Sequence, residues 1–214
     1  MFEKCERGLK KMKVLFATTN PAKVKKYKDY LAQKGIELMT LKDIDFELNV
    51  DENGKDAVEN AYIKAKTYYD ATKMPTIGMD NSLFIEELPN EKQPGTHVRR
   101  VNGKTLNDDE MIEYYTNLVK ENGGKLTAKW VYGMVVCTDA GAKEYTWSKD
   151  HFYFVDTPCK TRNVGYPLDS MAIVPAFNKY LAELTLEDKA EYKKKDKIDE
   201  VVDFIVNSLK SEGR

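Results

Sequence analysis

The sequence predicts an α/β or α+β fold built on a twisted, mixed β-sheet. Three observations carry that prediction. An apolar strand feeds directly into a capped helix near the start, four further helices of amphipathic or capped character recur along the chain, and the second half is rich in β-branched and aromatic strands separated by turn residues. The chain has 214 residues, 42% hydrophobic and 32% charged, enough for one globular domain or one with two lobes. Thirty-four basic residues against thirty-five acidic ones give a net charge of −1, so no global field recruits nucleic acid or an anionic membrane, and neither is expected as a partner. No apolar run approaches the roughly 20 residues of a membrane span. Residues 1–12 are polar, read as an appendage, and lack the apolar core of a signal peptide. Three cysteines, Cys5, Cys137 and Cys159, are odd in number and without metal spacing, which reads as reduced thiols in the cytoplasm.

Lys13–Ala17 is a near-continuous apolar run, as in a strand covered on both faces. Asn20 followed by Pro21 starts a helix: the amide caps free N–H groups and Pro suits the first helical position. Val24, Tyr27 and Leu31 then recur at helical spacing. Lys23, Lys25, Lys26 and Lys28 crowd the positive end of that helix, an unfavourable arrangement that a bound anion would reverse. A solvated lysine face is the alternative.

Ile36–Met39 reads as a second strand, and Asp56 caps a helix to about Thr72 whose inner stripe is Val58, Ala61, Ala65, Tyr68 and Thr72. Pro75–Asp80 reads as a short strand ending on an acid. Residues 86–105 are loop-like, and Asn107 with Glu110 forms a capping box for a helix to about Lys120. Lys125–Cys137, Lys143–Ser148 and His151–Val155, separated by turn signals at Asp139–Gly141 and Lys149-Asp150, suggest an antiparallel meander. Met171–Val174 is a further strand, Thr185 starts a short helix, and Ile198, Val201, Val202, Ile205 and Leu209 form the stripe of a closing helix.

Three constellations can carry chemistry, each with a structural alternative. Glu59, Asn60 and Lys64 lie together on one helix, where an acid and a lysine can serve a metal and a phosphate, or simply form a charged surface. Asp80-Asn81-Ser82 places acid, amide and hydroxyl at a strand end; Asp80 can ligate Mg²⁺ or act as a general base, or the trio can be an Asx-turn. In Gly165–Ser170, Tyr166 offers a ring for stacking and Asp169 an acceptor for a base edge, or the turn merely packs its tyrosine. Asn102-Gly103-Lys104-Thr105 echoes a phosphate-binding P-loop, but Val98 stands where that motif needs glycine. With only His97 and His151 and no Gly-x-Ser-x-Gly, a serine-hydrolase triad and a zinc site are unsupported.

Taken in order, these motifs resemble the inosine-triphosphate pyrophosphatase family, which clears aberrant purine nucleoside triphosphates. Ala17–Lys23 is similar to its A-T-x-N-x-x-K signature, Gly54 with Glu59–Ala65 to its G…E-N-A-x-x-K-A helix, Asp80–Ser82 to its D-[DN]-S loop, and Pro94-Gly95 to the P-G that follows. Gly165–Asp169 matches its G-F-G-[YW]-D turn at three positions, and Ala182–Leu184 with Lys189 resembles its A-E-[ML]…K stretch. The resemblance spans about residues 13–197. It implies an elongated mixed sheet flanked by helices, with two lobes around a central nucleotide-binding cleft in one domain over residues 13–214, commonly in a homodimer. It implies the reaction NTP + H₂O → NMP + pyrophosphate with Mg²⁺, which needs neutralised polyphosphate charge and a water aimed at the α-phosphorus. On that footing Thr18, Asn20, Lys23 and Lys64 bind phosphate, with Ser82 beside them. Glu59 and Asp80 handle Mg²⁺, and Asp80 is the base. Tyr166 stacks on the purine, while Asp169 and Lys189 reach the nucleoside.

The sequence also departs from the family. Lys193-Lys194-Lys195 stands where Ser-His-Arg normally reads the purine 6-oxo group, Leu168 and Pro167 replace an aromatic residue and a glycine of the turn, and Leu83 replaces the glycine after Ser82. A purine triphosphate with a 6-oxo group is the first expectation. Another modified or pyrimidine triphosphate, or nucleotide binding without turnover, are the alternatives.

Overall fold

The structure is a computed structural model that describes residues 11–45, 48–194 and 197–210. Its centre is a seven-stranded mixed sheet. Strand β1 (Met12–Ala17) pairs in parallel with β2 (Ile36–Thr40) on one side and with β3 (Thr76–Ile85) on the other. Beyond β3 the sheet turns antiparallel through β6 (Lys125–Thr138), β7 (Gly141–Val155), β8 (Ala172–Val174) and β9 (Lys179–Tyr180), in the order β2-β1-β3-β6-β7-β8-β9. A small β4–β5 hairpin (Arg100–Val101 with Lys104–Thr105) stands apart from that sheet. Asn102 and Gly103 form its tip with positive φ, so the stretch that echoes a P-loop is a hairpin turn.

The local signals become helices where the sequence places them. Helix α1 (Pro21–Gln33) has Asn20 as N-cap, its side chain accepting the Ala22 N–H, and buries Tyr27 and Leu31. Helix α2 (Ala57–Thr72) is capped by Asp56, which accepts N–H groups of Val58 and Glu59. Helix α3 (Asp108–Glu121) carries the Asn107/Glu110 capping box, and Thr185 caps α4 (Leu186–Lys193). Helix α5 (Ile198–Lys210) buries Val201, Val202, Ile205, Val206 and Leu209. Among the described residues no helix is long and apolar enough to cross a membrane.

Two strands differ from expectation. β3 does not end at Asp80 but continues to Ile85, because β6 supplies a partner at every step from Cys137 opposite Thr76 to Ala128 opposite Ile85. Asp80-Asn81-Ser82 is therefore ladder-bound strand, not a strand end. The three-strand meander is one long hairpin. The polar pair Lys149-Asp150 does not turn the chain, because the register shift between Ala128 and Trp130 absorbs the irregularity as a bulge and β7 runs on.

Two main apolar clusters share the long strands. One joins Phe16, Tyr27, Leu31, Ile77, Met79, Met134 and Val136 to α5. The other gathers Leu83, Ile85, Met111, Tyr115, Leu126, Phe154 and Met171 under α3. Along β3 the change from one cluster to the other falls between Met79 and Leu83, so Asp80–Ser82 sits at the junction of the two.

Candidate functional site

Alternation along β3 turns Gly78, Asp80 and Ser82 to the face covered by α2. A Cβ added to Gly78 would lie 2.0 Å from the Ala61 carbonyl oxygen and 2.8 Å from the Ala65 nitrogen, and one added to Gly133 would lie 2.5 Å from Val58 N. Gly133 is the ladder partner of Asp80. Two glycines thus let the α2 backbone lie directly on the sheet, and this close approach lowers Asn60 and Lys64 onto the carboxylate.

Asp80 is buried and met from three sides. The Asn60 amide donates to Oδ2 at 3.1 Å, the Lys64 ammonium donates to Oδ1 at 3.1 Å, and Lys23 Nζ stands 3.9 Å from Oδ1. The orientation of Asn60 is fixed because its Oδ1 accepts the Gly54 N–H at 2.8 Å. Lys64 also reaches Glu52 Oε2 at 2.9 Å, so two carboxylates meet on one ammonium. Lys23 enters from the first turn of α1 and donates to the Met79 carbonyl oxygen at 3.3 Å. Behind it, Thr18 Oγ1 accepts the Asn20 N–H and Asn20 Oδ1 accepts the Ala22 N–H, so both side chains order the loop that presents Lys23 at a helix N-terminus.

Lys23 is held down to about 8, first by burial and then by the nearby charge of Lys64, with Asp80 and Glu52 pulling the other way. Because its folded value lies below the ordinary 10.5, Lys23 weakens the fold below about pH 8, and stability recovers as pH rises from there toward 10.5. Phosphate binding by Lys23, the role its motif resemblance implies, would have the opposite sign, since the cation is lost above about 8. A kcat/KM profile is expected to fall through that pH, and Lys23→Arg, with a guanidinium that stays charged, is expected to flatten the fall. Identical profiles for wild type and Lys23→Arg would remove Lys23 from phosphate binding.

The structure brings Asp80, Lys64 and Lys23 together, with Thr18 and Asn20 one turn away and Ser82 two residues along the same strand. It does not bring Glu59 to them. The Glu59 carboxylate accepts the Lys55 N–H at 2.8 Å, stands 3.7 Å from Lys55 Nζ, and lines a shallow outer pocket with Val58, Tyr62, Ile63 and Glu144. The helical turn explains the correction: the face that carries Asn60, Ala61, Lys64 and Ala65 onto the sheet points Glu59 outward. Glu52, not Glu59, is the glutamate that stands beside Lys64 and Asp80. In the sequence it is one acid in a polar turn, and only its spacing from Gly54 hints that it is held.

Among the described residues no group of three or more His, Cys, Asp or Glu forms a metal cluster, and Cys137 and Cys159 are free thiols. Glu52 and Asp80, sharing Lys64, fit a hard divalent cation that takes its remaining oxygens from phosphate and water. Two lysines balanced by two carboxylates leave no surplus positive charge for a polyphosphate, which is the deficit such a cation fills.

A second group lies on the turn after β7. Asn163 Nδ2 donates to Asp169 Oδ2 at 2.9 Å. Burial pushes the Asp169 carboxyl up, while Asn163, Lys149 and Lys189 counter it, so Asp169 and Lys189 do share a neighbourhood. Tyr166 is 47% exposed, and burial and Asp169 raise its hydroxyl. Pro167 and Leu168 are buried and anchor the turn. Lys149, missed in the sequence because Lys149-Asp150 reads as a turn, lies 3.9 Å over the Tyr192 ring of α4. Lys193 and Lys194 are exposed at the end of α4, Lys194 paired with Glu191 at 2.6 Å, and Lys195 lies outside the described residues.

The site is a lysine-bound aspartate on a mixed α/β sheet, beside the N-terminus of a helix. The chain belongs to the Ham1 family, whose sequence profile matches residues 14–198, and the resemblance read from its motifs holds. It is 30% identical over 189 residues to a dITP/XTP pyrophosphatase of Thermus thermophilus (88% of this chain, 89% of that protein) and 30% identical to one of Aquifex aeolicus (83% and 88%). In fold it is similar to the Ham1 protein of Staphylococcus aureus, with a TM-score of 0.73 at 20% identity, covering 94% of this chain and 99% of that one.

Proposed function

We propose that this protein is a nucleoside-triphosphate pyrophosphatase that hydrolyses aberrant purine triphosphates such as ITP, dITP or XTP to the monophosphate and pyrophosphate. The observation that carries the reading is Asp80, buried and aimed by Asn60, Lys64 and Lys23. The names of the curated relatives supply the substrate class.

Lys23 and the first turn of α1 bind the polyphosphate with Lys64. Asp80 accepts the proton of a water that attacks the α-phosphorus, and pyrophosphate leaves with the bridging oxygen. Glu52 and Asp80 would hold Mg²⁺, whose charge would neutralise that of the phosphates. Glu59 serves the site indirectly, holding Lys55 and with it the turn that carries Glu52. Tyr166 stacks on the base, and Asp169, Asn163 and Lys189 face its edge. The same proposal includes one domain over residues 13–214 with two lobes about the site, a homodimer, and a cytoplasmic setting.

The test is a panel of ITP, dITP, XTP, the ordinary triphosphates and modified pyrimidine triphosphates with Mg²⁺, with pyrophosphate and orthophosphate measured separately. Pyrophosphate from the 6-oxo purines in preference to ATP is expected. Tight nucleotide binding with no pyrophosphate from any of them would make the protein a nucleotide binder instead. Lys194→Ala is expected to leave the ITP/ATP preference within about twofold, because Lys194 is exposed at the end of α4 and paired with Glu191 on the surface. A larger change would bring the lysine run to the base.

A further inference from the structure

The turn that carries Tyr166 is held unequally at its two ends. On the C-terminal side Pro167 and Leu168 are buried, whereas on the N-terminal side Val164 is 93% exposed and gives no apolar anchorage. Between them Gly165 takes φ +80, a conformation open to it because it has no Cβ. What fixes it is a carboxylate from another element. Asp108, the first residue of α3, accepts the Gly165 N–H on Oδ2 at 3.0 Å and the Arg99 Nη2 on Oδ1 at 2.8 Å. Arg99 is itself fixed, because Nη1 donates to the Leu106 carbonyl oxygen at 3.0 Å and its own carbonyl oxygen accepts the Leu106 N–H at 2.9 Å. The Gly165 N–H, with Arg99 assisting, holds the Asp108 carboxyl below the usual carboxylate range. Onward from Gly165, Tyr166 N–H donates to the Asn163 carbonyl oxygen and Asp169 N–H to that of Tyr166.

We propose that Asp108 is a positioning residue for nucleobase recognition: by tying Gly165 to the start of α3, its other oxygen held by Arg99, it sets the angle at which Tyr166 and Asp169 meet the base. The inference rests on the reading of the site as a nucleotide pyrophosphatase with Tyr166 as its stacking ring. An exposed aromatic ring has little packing of its own to fix it, so its orientation is inherited from its backbone. A charge-assisted bond to the preceding N–H is a strong way to set that backbone.

The experiment compares wild type, Asp108→Ala, Asp108→Asn, Tyr166→Ala and the Asp108→Ala/Tyr166→Ala pair on the best purine triphosphate of the panel, with inorganic tripolyphosphate as a competitive inhibitor that engages the phosphate half alone. Asp108→Ala is expected to raise KM about tenfold with kcat within about twofold, the size of a lost charged hydrogen bond. The tripolyphosphate inhibition constant is expected to stay unchanged. Asp108→Asn keeps an acceptor for Gly165 and preserves shape, so it is expected to raise KM by about threefold and serves if the alanine variant does not fold. In the Tyr166→Ala background the alanine change at Asp108 is expected to add less than about twofold, because both act through one ring. An unchanged KM, the same tenfold rise without Tyr166, or tripolyphosphate inhibition weakening in step would each overturn the inference while leaving the pyrophosphatase reading intact. A wild-type enzyme that releases pyrophosphate from none of the triphosphates would overturn both.

Discussion

Asp80→Asn is expected to lower kcat for the best purine triphosphate by about a thousandfold, the range of a lost general base. The substitution keeps volume and one acceptor oxygen, so the Lys64 contact at 3.1 Å persists in neutral form while the proton acceptor is gone. Nucleotide affinity measured without Mg²⁺ is expected to hold or tighten, because a negative charge is removed beside Lys23 and Lys64. That split between binding and turnover separates loss of chemistry from loss of structure. The fold is expected to weaken by about 2 kcal/mol, since Lys23 and Lys64 lose a counter-charge, though their side chains keep 16% and 11% exposure and Lys64 retains Glu52. Pyrophosphate release, a binding titration and a thermal melt check the three parts. Turnover within tenfold of wild type would take Asp80 out of the mechanism.

Gly78→Ala is expected to be the most damaging single-methyl change in the sheet, destabilising by about 3 kcal/mol or preventing folding. The added carbon would lie 2.0 Å from the Ala61 carbonyl oxygen, and the obstacle is helix backbone, which cannot swing aside as a side chain would. Any relief lifts α2 from the sheet, and Lys64 and Asn60 move with it, so residual folded protein is expected to lose activity out of proportion to its stability. Gly103→Ala is the control: its site is open, and its φ of +77 alone predicts a penalty of about 1 kcal/mol with activity unchanged. Urea unfolding of both variants measures the difference. Equal stability for the two would show that α2 does not lie on Gly78.

The secondary structure that was legible is the part fixed by neighbours in the chain. Asp56 caps α2 and Asn20 caps α1 because a capping side chain reaches only two or three residues ahead. The α5 stripe was legible because helical periodicity is local. The run of β3 past Asp80 and of β7 past Lys149-Asp150 was not, because each depends on a partner strand that supplies hydrogen bonds where local composition argues for a stop. The same difference in range separates Glu59 from Glu52. Glu59 is conspicuous in a motif on α2, yet which side of a helix faces the sheet is settled by packing.

By itself, the sequence determined the mixed α/β class, the capped helices, and the motif series that places the chain in the Ham1 family. It also supplied the acid and lysines of the site. Tertiary structure alone decided which of them meet. Lys23, Glu52, Asn60, Lys64 and Asp80 come from three elements and a turn, and they converge because Gly78 and Gly133 remove the side chains that would hold α2 away from the sheet. A close approach of two backbones is a property of neither stretch alone, and no periodicity or cap along the chain encodes it.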